Sequence, residues 1–316
     1  MAPLPLVLDE AAVVRLLAGV DVAAVLRRMF QELSDASAVQ PPQSLTLFPG
    51  EAGDFITYQG ALAGAGVFGA KLSPYIQRPG GGLVTAWTVL LSMTTGQPLL
   101  LCDSRRLTTE RTAATTALAV DLLAPEGAAR LAIIGAGAVG LAHLRHVRGL
   151  RPWTDIRLWS PGLAARLDGP LAEMVAADDR LAAAGSLADA LDGAEVILLC
   201  TSSAGPVIGP AMVDAPALIT SISTNAPQAH EIEPAWLADL DVYADDRATT
   251  PAVAGEMRLA AQAGLWSPGR LCGDLAELVS GRAARPAPGR CAFFRSVGLG
   301  LEDIALAAAI HAAAVS

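Results

Sequence analysis

The chain has 316 residues, a formal net charge of −9 and a mean hydropathy of +0.44, and alanine supplies much of its 53% hydrophobic content. This length suggests roughly two domains of about 150 residues each. The acidic balance without a basic cluster argues against a nucleic-acid partner, and no apolar run reaches the ~18 residues of a transmembrane helix. Asp9 and Glu10 stand where a signal peptide would be basic and then apolar, so we expect a cytoplasmic protein.

The cysteines and histidines do not form a recognisable metal site. The four cysteines show no CxxC spacing, which indicates reduced, structural thiols. His143 and His146 are three residues apart and would share one face of a helix. Because no further ligand follows at a suitable spacing, we expect a solvated helix face and no bound metal.

The first part of the chain predicts helices followed by an antiparallel meander. Residues 9–35 carry apolar side chains at helical spacing. Short strands are predicted at Leu45–Phe48 and Phe55–Tyr58, and longer ones at Gly66–Tyr75, Val84–Thr94 and Pro98–Cys102.

Lys71 is the first candidate functional residue. On the predicted strand, Val67, Gly69, Lys71 and Ser73 fall on one side, and the small neighbours leave room beside the amine. The spacing allows two interpretations, a lysine on a half-solvated surface strand or a cation that lines a pocket.

Arg111 is the second candidate. An alanine-rich helix is predicted to begin at Thr108 as N-cap, which would place Glu110 and Arg111 in its first turn. A cation there is mildly unfavourable, so Arg111 gains most by gripping a carboxylate or phosphate. The alternative is a surface pair between Arg111 and Glu110.

A glycine motif organises the second part of the chain. Gly135, Gly137 and Gly140 follow the apolar run Leu131–Ile134 and precede a helical pattern, with the spacing of a dinucleotide-binding turn. The helix start at Ala138 and Val139 would direct N–H groups and the positive end of the helix dipole at phosphates. The alternative is a strand–helix turn without a ligand.

The strands that follow predict a doubly wound parallel sheet. They lie at Ile156–Trp159, Val196–Cys200, Leu218–Ile222 and Val242–Ala244, separated by helical stretches. Small polar residues follow three of the strands and suit a cofactor crevice; they are Ser160, Thr201, Ser202 and Ser223. Ser160 supplies no acidic group for the ribose hydroxyls of NAD, so NADP is permitted as well.

Together these features resemble the ornithine cyclodeaminase/mu-crystallin family. The match is carried by Lys71, by Leu107–Ala114 around Arg111 and Thr112, and by the glycine motif. Ser221–Pro227 with Glu231, and Ser296–Asp303 around Gly298, complete it over nearly the whole chain.

The resemblance implies an α/β fold with a Rossmann-like parallel-sheet domain and a mixed α+β domain for substrate binding and homodimer formation. We expect the substrate domain at residues 1–124 with 297–316, and the domain that binds NAD or NADP at residues 125–296. Lys71, Arg111 and Gly298 would then face a small amino or imino acid, with Arg111 and Thr112 close to the cofactor.

Two positions depart from the family pattern. Many members have an arginine for the substrate carboxylate where this chain has Gln43. The cyclodeaminases and several dehydrogenases have an acid/base aspartate where it has Asn225. An asparagine can orient a substrate but cannot take a proton. We therefore predict an imine or ketimine reductase or an amino-acid dehydrogenase. The alternatives are an ornithine cyclodeaminase-type ammonia lyase and a cofactor-binding protein without turnover.

Overall fold

The computed structural model describes residues 4–163, 167–214, 216–223 and 228–316. Contacts divide it into two compact units. Unit 1 comprises Met1–Arg111 with Gly298–Ser316, and unit 2 comprises Thr112–Val297. The sequence-based boundaries at residues 124 and 296 placed the whole helix before Pro125 with unit 1, whereas the structural division falls inside that helix.

Helices and strands cover most of both units. The strands are β1 (Leu6–Leu8), β2 (Ala38–Val39), β3 (Ser44–Leu47), β4 (Gly53–Leu62), β5 (Val67–Ile76), β6 (Leu83–Val84), β7 (Trp87–Ser92), β8 (Pro98–Asp103), β9 (Arg130–Ile134), β10 (Asp155–Trp159), β11 (Leu181–Ala183), β12 (Val196–Leu199), β13 (Leu218–Ser221), β14 (Asp241–Ala244), β15 (Gly273–Asp274) and β16 (Ala292–Arg295). The α-helices are α1 (Glu10–Leu17), α2 (Val22–Ser34), α3 (Arg105–Leu123), α4 (Ala138–Val147), α5 (Gly169–Ala177), α6 (Leu187–Leu191), α7 (Thr250–Val253), α8 (Gly255–Gln262), α9 (Leu275–Val279) and α10 (Gly300–Val315). Short 3-10 helices lie at Pro49–Glu51, Pro210–Met212, Pro234–Ala238 and Pro268–Arg270.

Unit 1 is built on a mixed sheet with the strand order β1-β8-β7-β5-β4-β2, to which β3 and β6 add at β4 and β5. Most neighbours are antiparallel, as predicted, but β1 pairs in parallel with β8. The predicted strand Val84–Thr94 is divided between β6 and β7.

Helix α10 packs closely on the face of this sheet that carries Lys71. A Cβ atom at Gly60 would lie 2.9 Å from the Cα of Leu301, and one at Gly69 would lie 3.0 Å from Cδ1 of Ile304. Glycine at these positions therefore brings the helix against the strands, and the last helix of the chain covers the Lys71 face.

Unit 2 contains a parallel sheet with the order β11-β10-β9-β12-β13-β16-β14-β15. The pairings are all parallel, and β12, β13 and β16 are buried along their whole length. From β9 the chain proceeds outward to β10 and β11, then returns to the other side of β9 at β12. This is the strand order of a doubly wound nucleotide-binding sheet, which confirms the predicted fold class.

Helix α3 corrects the predicted helix start. It begins at Arg105, so Thr108 is not its N-cap and Arg111 does not lie in its first turn. An Asp103 carboxylate oxygen accepts the backbone N–H of Arg105 at 3.0 Å, and the N–H of Thr108 donates to the Ser104 carbonyl at 2.8 Å. Asp103 thus stabilises the start of the helix, because its carboxylate accepts a backbone N–H that has no partner within the helix.

His143 is a second correction. Its imidazole is fully buried and contacts the Val139 carbonyl at 2.8 Å and the Thr116 hydroxyl at 3.0 Å, so it does not lie on a solvated face. The four cysteines are free thiols, as predicted. No helix in the described part of the chain is long and apolar enough to cross a membrane.

Candidate functional site

A cleft of about 590 Å³ opens in unit 2 at the carboxyl ends of its central strands. Its walls come from the loops after β9, β10, β12 and β13. The predicted cofactor residues that line it are Gly135, Gly137, Ala138, Val139, Ser160, Thr201, Ser202 and Ser223. Sequence reasoning therefore identified residues that the fold brings to a single cleft.

The three glycines of the motif have different surroundings. A Cβ at Gly135, whose φ is +114°, would lie 2.3 Å from the Cys200 carbonyl oxygen, and one at Gly140 would lie 1.8 Å from the Gly135 oxygen. Gly135 and Gly140 are thus required by the protein's own packing. A Cβ at Gly137 would meet no atom within 4 Å, so the space beside Gly137 is open to a ligand.

The cleft suits a dinucleotide. Helix α4 begins at the cleft, and no side chain caps its first turn. A helix start of this kind presents N–H groups and a positive dipole end, which favour a pyrophosphate. The Ser223 hydroxyl oxygen is buried and has no hydrogen-bond partner among the described residues. Ser160, the first residue after β10, brings a hydroxyl and no carboxylate to the cleft.

Glu231 holds two of the cleft-lining loops. Its carboxylate accepts hydrogen bonds from the Thr201 N–H and hydroxyl at 2.7 Å each. It also accepts the Ser221 hydroxyl at 2.7 Å and the Ser223 N–H at 3.0 Å. The Thr201 hydroxyl therefore donates its hydrogen to Glu231 and is not available as a donor to a ligand in the cleft.

Unit 1 contains a buried cluster of polar side chains. Lys71 is 1% exposed, and its Nζ lies 2.8 Å from the Asp303 carboxylate and 3.3 Å from the Thr108 hydroxyl. The same Nζ lies 4.2 Å from the centre of the Tyr58 ring. The interpretation of Lys71 as a surface lysine is therefore wrong.

Arg111 joins the same cluster. Its Nη1 lies 3.0 Å from Glu302, and its Nε lies 3.5 Å from Asp303. Glu110 pairs with Arg106 at 2.9 Å. Arg111 and Glu110 are both buried, so the alternative of a surface pair is wrong. Asp303 consequently lies against both predicted cations.

Gly298 is packed against the Arg111 guanidinium. Its φ is +81°, and a Cβ there would lie 2.2 Å from Nη1 of Arg111. A larger residue would therefore have to displace a guanidinium that two carboxylates hold. Gly298 thus acts on the cluster through its small size.

The cluster has two cations and two anions, and burial alters its acid–base properties. Burial lowers the pKa of Lys71 to about 8, and Asp303 opposes this as the strongest nearby charge. Burial raises the pKa of Tyr58 to about 12. An ammonium group whose pKa lies near neutrality can give up its proton at physiological pH.

Three further residues were predicted for the site, Gln43, Thr112 and Asn225. The amide oxygen of Gln43 is buried without a hydrogen-bond partner among the described residues. Thr112 lies in α3, where its carbonyl accepts the Thr116 hydroxyl at 3.3 Å. Asn225 falls outside the residues that the structure describes.

Sequence reasoning gave no role in the site to Tyr58, Thr108, Glu302 or Asp303. One signal was available for the cluster as a whole. Lys71 is the only lysine of the 316-residue sequence, whose remaining basic residues are arginines. A single lysine in a chain that otherwise uses arginine indicates a position where the amine itself is needed, because a guanidinium cannot be deprotonated in a protein.

Two known proteins are similar in sequence to most of this chain. The chain is 57% identical to an NAD(P)H-dependent anabolic L-arginine dehydrogenase of Pseudomonas aeruginosa, over 98% of each sequence. It is 26% identical to the ketimine reductase mu-crystallin of Mus musculus, over 72% of this chain and 68% of that one.

A solved structure shows the same architecture. The iminosuccinate reductase of Paracoccus denitrificans in complex with NAD+ superposes with a TM-score of 0.87 at 25% identity, covering 98% of this chain and 96% of that one. The model of the ornithine cyclodeaminase/mu-crystallin family matches residues 5–316. The chain therefore belongs to the ornithine cyclodeaminase/mu-crystallin family.

Proposed function

We propose that this protein is an NAD(P)-dependent oxidoreductase that acts on the C–N bond of an α-amino acid or its imino acid, with a basic side chain of the arginine type. The observation that carries the proposal is the chain's only lysine, which is buried in unit 1 against Asp303. Asp303 and Glu302 also hold Arg111 in the same cluster. The 57% identity to an L-arginine dehydrogenase supports the substrate class.

Each group of the unit 1 cluster has a proposed task. Lys71 donates a proton to the substrate nitrogen or polarises it in the reductive direction, and the low pKa of Lys71 makes this transfer accessible near neutral pH. Arg111 holds the substrate carboxylate, for which a guanidinium offers several N–H donors in a planar fork. Gln43 adds an amide, and Asn225 orients the substrate without serving as base.

The unit 2 cleft is the proposed cofactor site. The α4 start and Gly137 would hold the pyrophosphate, and Ser160 would accept either NAD or NADP at the ribose. Thr112, Ser202 and Ser223 would complete the site, and Thr201 would line it while Glu231 holds its hydroxyl. When bound, the nicotinamide supplies or accepts the hydride.

A substrate panel tests this proposal. L-arginine and other basic amino acids are offered with NAD+ and NADP+, and the corresponding oxo acids are offered with ammonia and NADH or NADPH. We expect turnover in both directions, followed by the absorbance of the reduced nicotinamide. Release of ammonia without a net change in the redox state of the cofactor would instead show a cyclodeaminase.

The first prediction concerns Lys71→Ala. We expect kcat/KM to fall by at least ~100-fold, the usual contribution of a positioned proton donor. Cofactor affinity, measured by fluorescence titration, should be unchanged because the cleft belongs to unit 2. Arg15→Ala, which removes an exposed cation from α1, is the matched control and should keep full activity. Near-normal turnover in Lys71→Ala would remove Lys71 from the mechanism.

The proposal includes a homodimer. The face of the unit 1 sheet opposite Lys71 exposes five large apolar side chains, Val7, Phe68, Leu72, Trp87 and Leu101. They are neighbours across the strands, since Leu72 pairs with Trp87 and Leu101 pairs with Val7. A contiguous apolar face of this kind is typical of a protein interface, and a second copy of the chain is the proposed occupant.

A further inference from the structure

Asp303 is placed so that it can act on Lys71. It lies in the first turn of α10, fully buried, with one carboxylate oxygen 2.8 Å from Lys71 Nζ and the other 3.5 Å from Arg111 Nε. Asp303 therefore joins both cations of the cluster, while Glu302 pairs with Arg111 at 3.0 Å.

Close packing of α10 against two strands, β5 and β4, fixes the backbone position of Asp303. Ile304, the residue after Asp303, contacts β5 at Gly69, two residues before Lys71 on the same face of the strand. Gly300, at the start of α10, lies so close to β4 that a Cβ would meet the Gln59 carbonyl oxygen at 2.4 Å. Because α10 is held this closely, the backbone of Asp303 keeps its distance from Lys71, and only a change of side-chain rotamer would separate the carboxylate from the amine.

The charges around Lys71 act in opposite directions. Burial and the Arg111 guanidinium disfavour the ammonium, while Asp303 and, more weakly, Glu302 favour it. Among the described residues, the ring of Tyr58 and the hydroxyl of Thr108 also contact the amine. Neither is charged near neutral pH, since burial raises the pKa of Tyr58 to about 12. Asp303 is thus the group on which the charge of Lys71 chiefly depends.

We propose that Asp303 is a positioning residue that keeps Lys71 protonated and directs its amine, and that it thereby sets the alkaline limit of the reductive reaction. This rests on the proposed function, since it assumes that Lys71 is the proton donor. Removing the negative charge would favour neutral Lys71, so a smaller fraction of the enzyme would hold the proton at a given pH.

The single lysine makes a direct test possible. Protein labelled with ¹³C-lysine gives a side-chain signal for Lys71 alone, and its Cε shift can be titrated with pH in the intact protein without substrate. We expect Asp303→Asn to lower the Lys71 pKa by at least ~1 unit, the usual effect of a close opposite charge. Glu302→Gln should lower it less.

Asp103→Asn is the matched control. Asp103 is another buried carboxylate of unit 1, but it pairs with Arg105 at 3.1 Å and does not contact Lys71. We expect the Lys71 titration to be unchanged in this variant. If Asp303→Asn also leaves the Lys71 titration unchanged, the proposal is overturned.

Kinetics provide the second measurement. The alkaline limb of the kcat/KM profile for imino-acid reduction should move to lower pH in Asp303→Asn by the same amount as the NMR titration. A general loss of activity with an unmoved limb would show a merely structural role. If the wild-type protein reduced no imino acid, the proposed function would fail, while the titration would still decide whether Asp303 controls Lys71.

A second variant covers the case in which Asp303→Asn does not fold. Asp303→Glu keeps the charge but moves it by one methylene group. We expect the Lys71 pKa to stay within about half a unit of the wild-type value, and kcat to fall at least ~10-fold because the amine is misdirected. Wild-type kcat in this variant would contradict the positioning role.

Discussion

At the scale of single residues, the site depends on a lysine that arginine could not replace. Burial beside Asp303 brings the pKa of Lys71 to about 8, whereas a guanidinium stays charged at every physiological pH. The strand alternation in the sequence predicted which side Lys71 faces. It could not predict that α10, from the far end of the chain, covers that side, so it left a surface lysine and a pocket lysine as alternatives.

The first prediction at this scale concerns Gly298→Ala. The new Cβ would lie 2.2 Å from Nη1 of Arg111 and would occupy a backbone conformation with φ of +81°. We expect the guanidinium to be displaced and the KM for the amino acid to rise at least ~10-fold. The free energy of unfolding should fall by about 1 kcal/mol because of the unfavourable backbone conformation alone. Steady-state kinetics and urea denaturation measure the two effects.

Gly281→Ala separates these effects. Gly281 has a similar φ of +72°, but a Cβ there would meet no atom within 4 Å. The control should show the stability loss without the change in KM. An unchanged KM in Gly298→Ala would mean that Arg111 is not held in place by the space that Gly298 leaves.

At the scale of elements, five parallel strands of unit 2 were predicted to within a residue or two, namely β9, β10, β12, β13 and β14. Strands buried on both faces read as continuous apolar runs, so their limits are marked in the sequence. The short strands β1, β2, β11 and β15 were missed because a segment of two or three residues is too short to show a strand pattern. The start of α3 was misplaced because Asp103 and Thr108 are both acceptable N-terminal residues, and only tertiary packing decides between them.

The cofactor loop gives a prediction in which folding and binding separate. Gly137→Ala introduces a Cβ that meets nothing in the protein, at a residue whose φ of −76° any amino acid adopts. We therefore expect an unchanged free energy of unfolding. If a pyrophosphate approaches the backbone there, the Kd for NADH and NADPH should rise at least ~10-fold. Fluorescence titration and urea denaturation measure these two quantities.

Gly149→Ala is the matched control for this loop. Gly149 follows α4, and a Cβ there also meets no atom within 4 Å. Neither stability nor cofactor affinity should change. Equal cofactor affinity in Gly137→Ala and the wild type would show that the pyrophosphate does not lie against this glycine.

At the scale of the whole molecule, the two faces of the unit 1 sheet differ in what covers them. One face carries Lys71 and packs against α10, while the other exposes a row of large apolar side chains that includes Phe68 and Leu72. The alternation of residues along the strands predicted which side chains share a face of the sheet. The exposed face is nevertheless apolar, whereas the solvent-facing side of an antiparallel sheet is usually polar. Such a face is unfavourable in water, and pairing with a second copy would remove it from solvent.

The dimer prediction is tested at Leu72, which is 45% exposed at the middle of this face. In a two-fold dimer each substitution occurs twice, so Leu72→Glu would place two unpaired carboxylates in one interface. We expect the wild type to sediment as a dimer and Leu72→Glu to dissociate on the order of 100-fold more readily. Leu265→Glu, at an equally exposed leucine of unit 2, should leave the dimer intact. A monomeric wild type, or a dimer that tolerates Leu72→Glu, would show that this face is not where two copies meet.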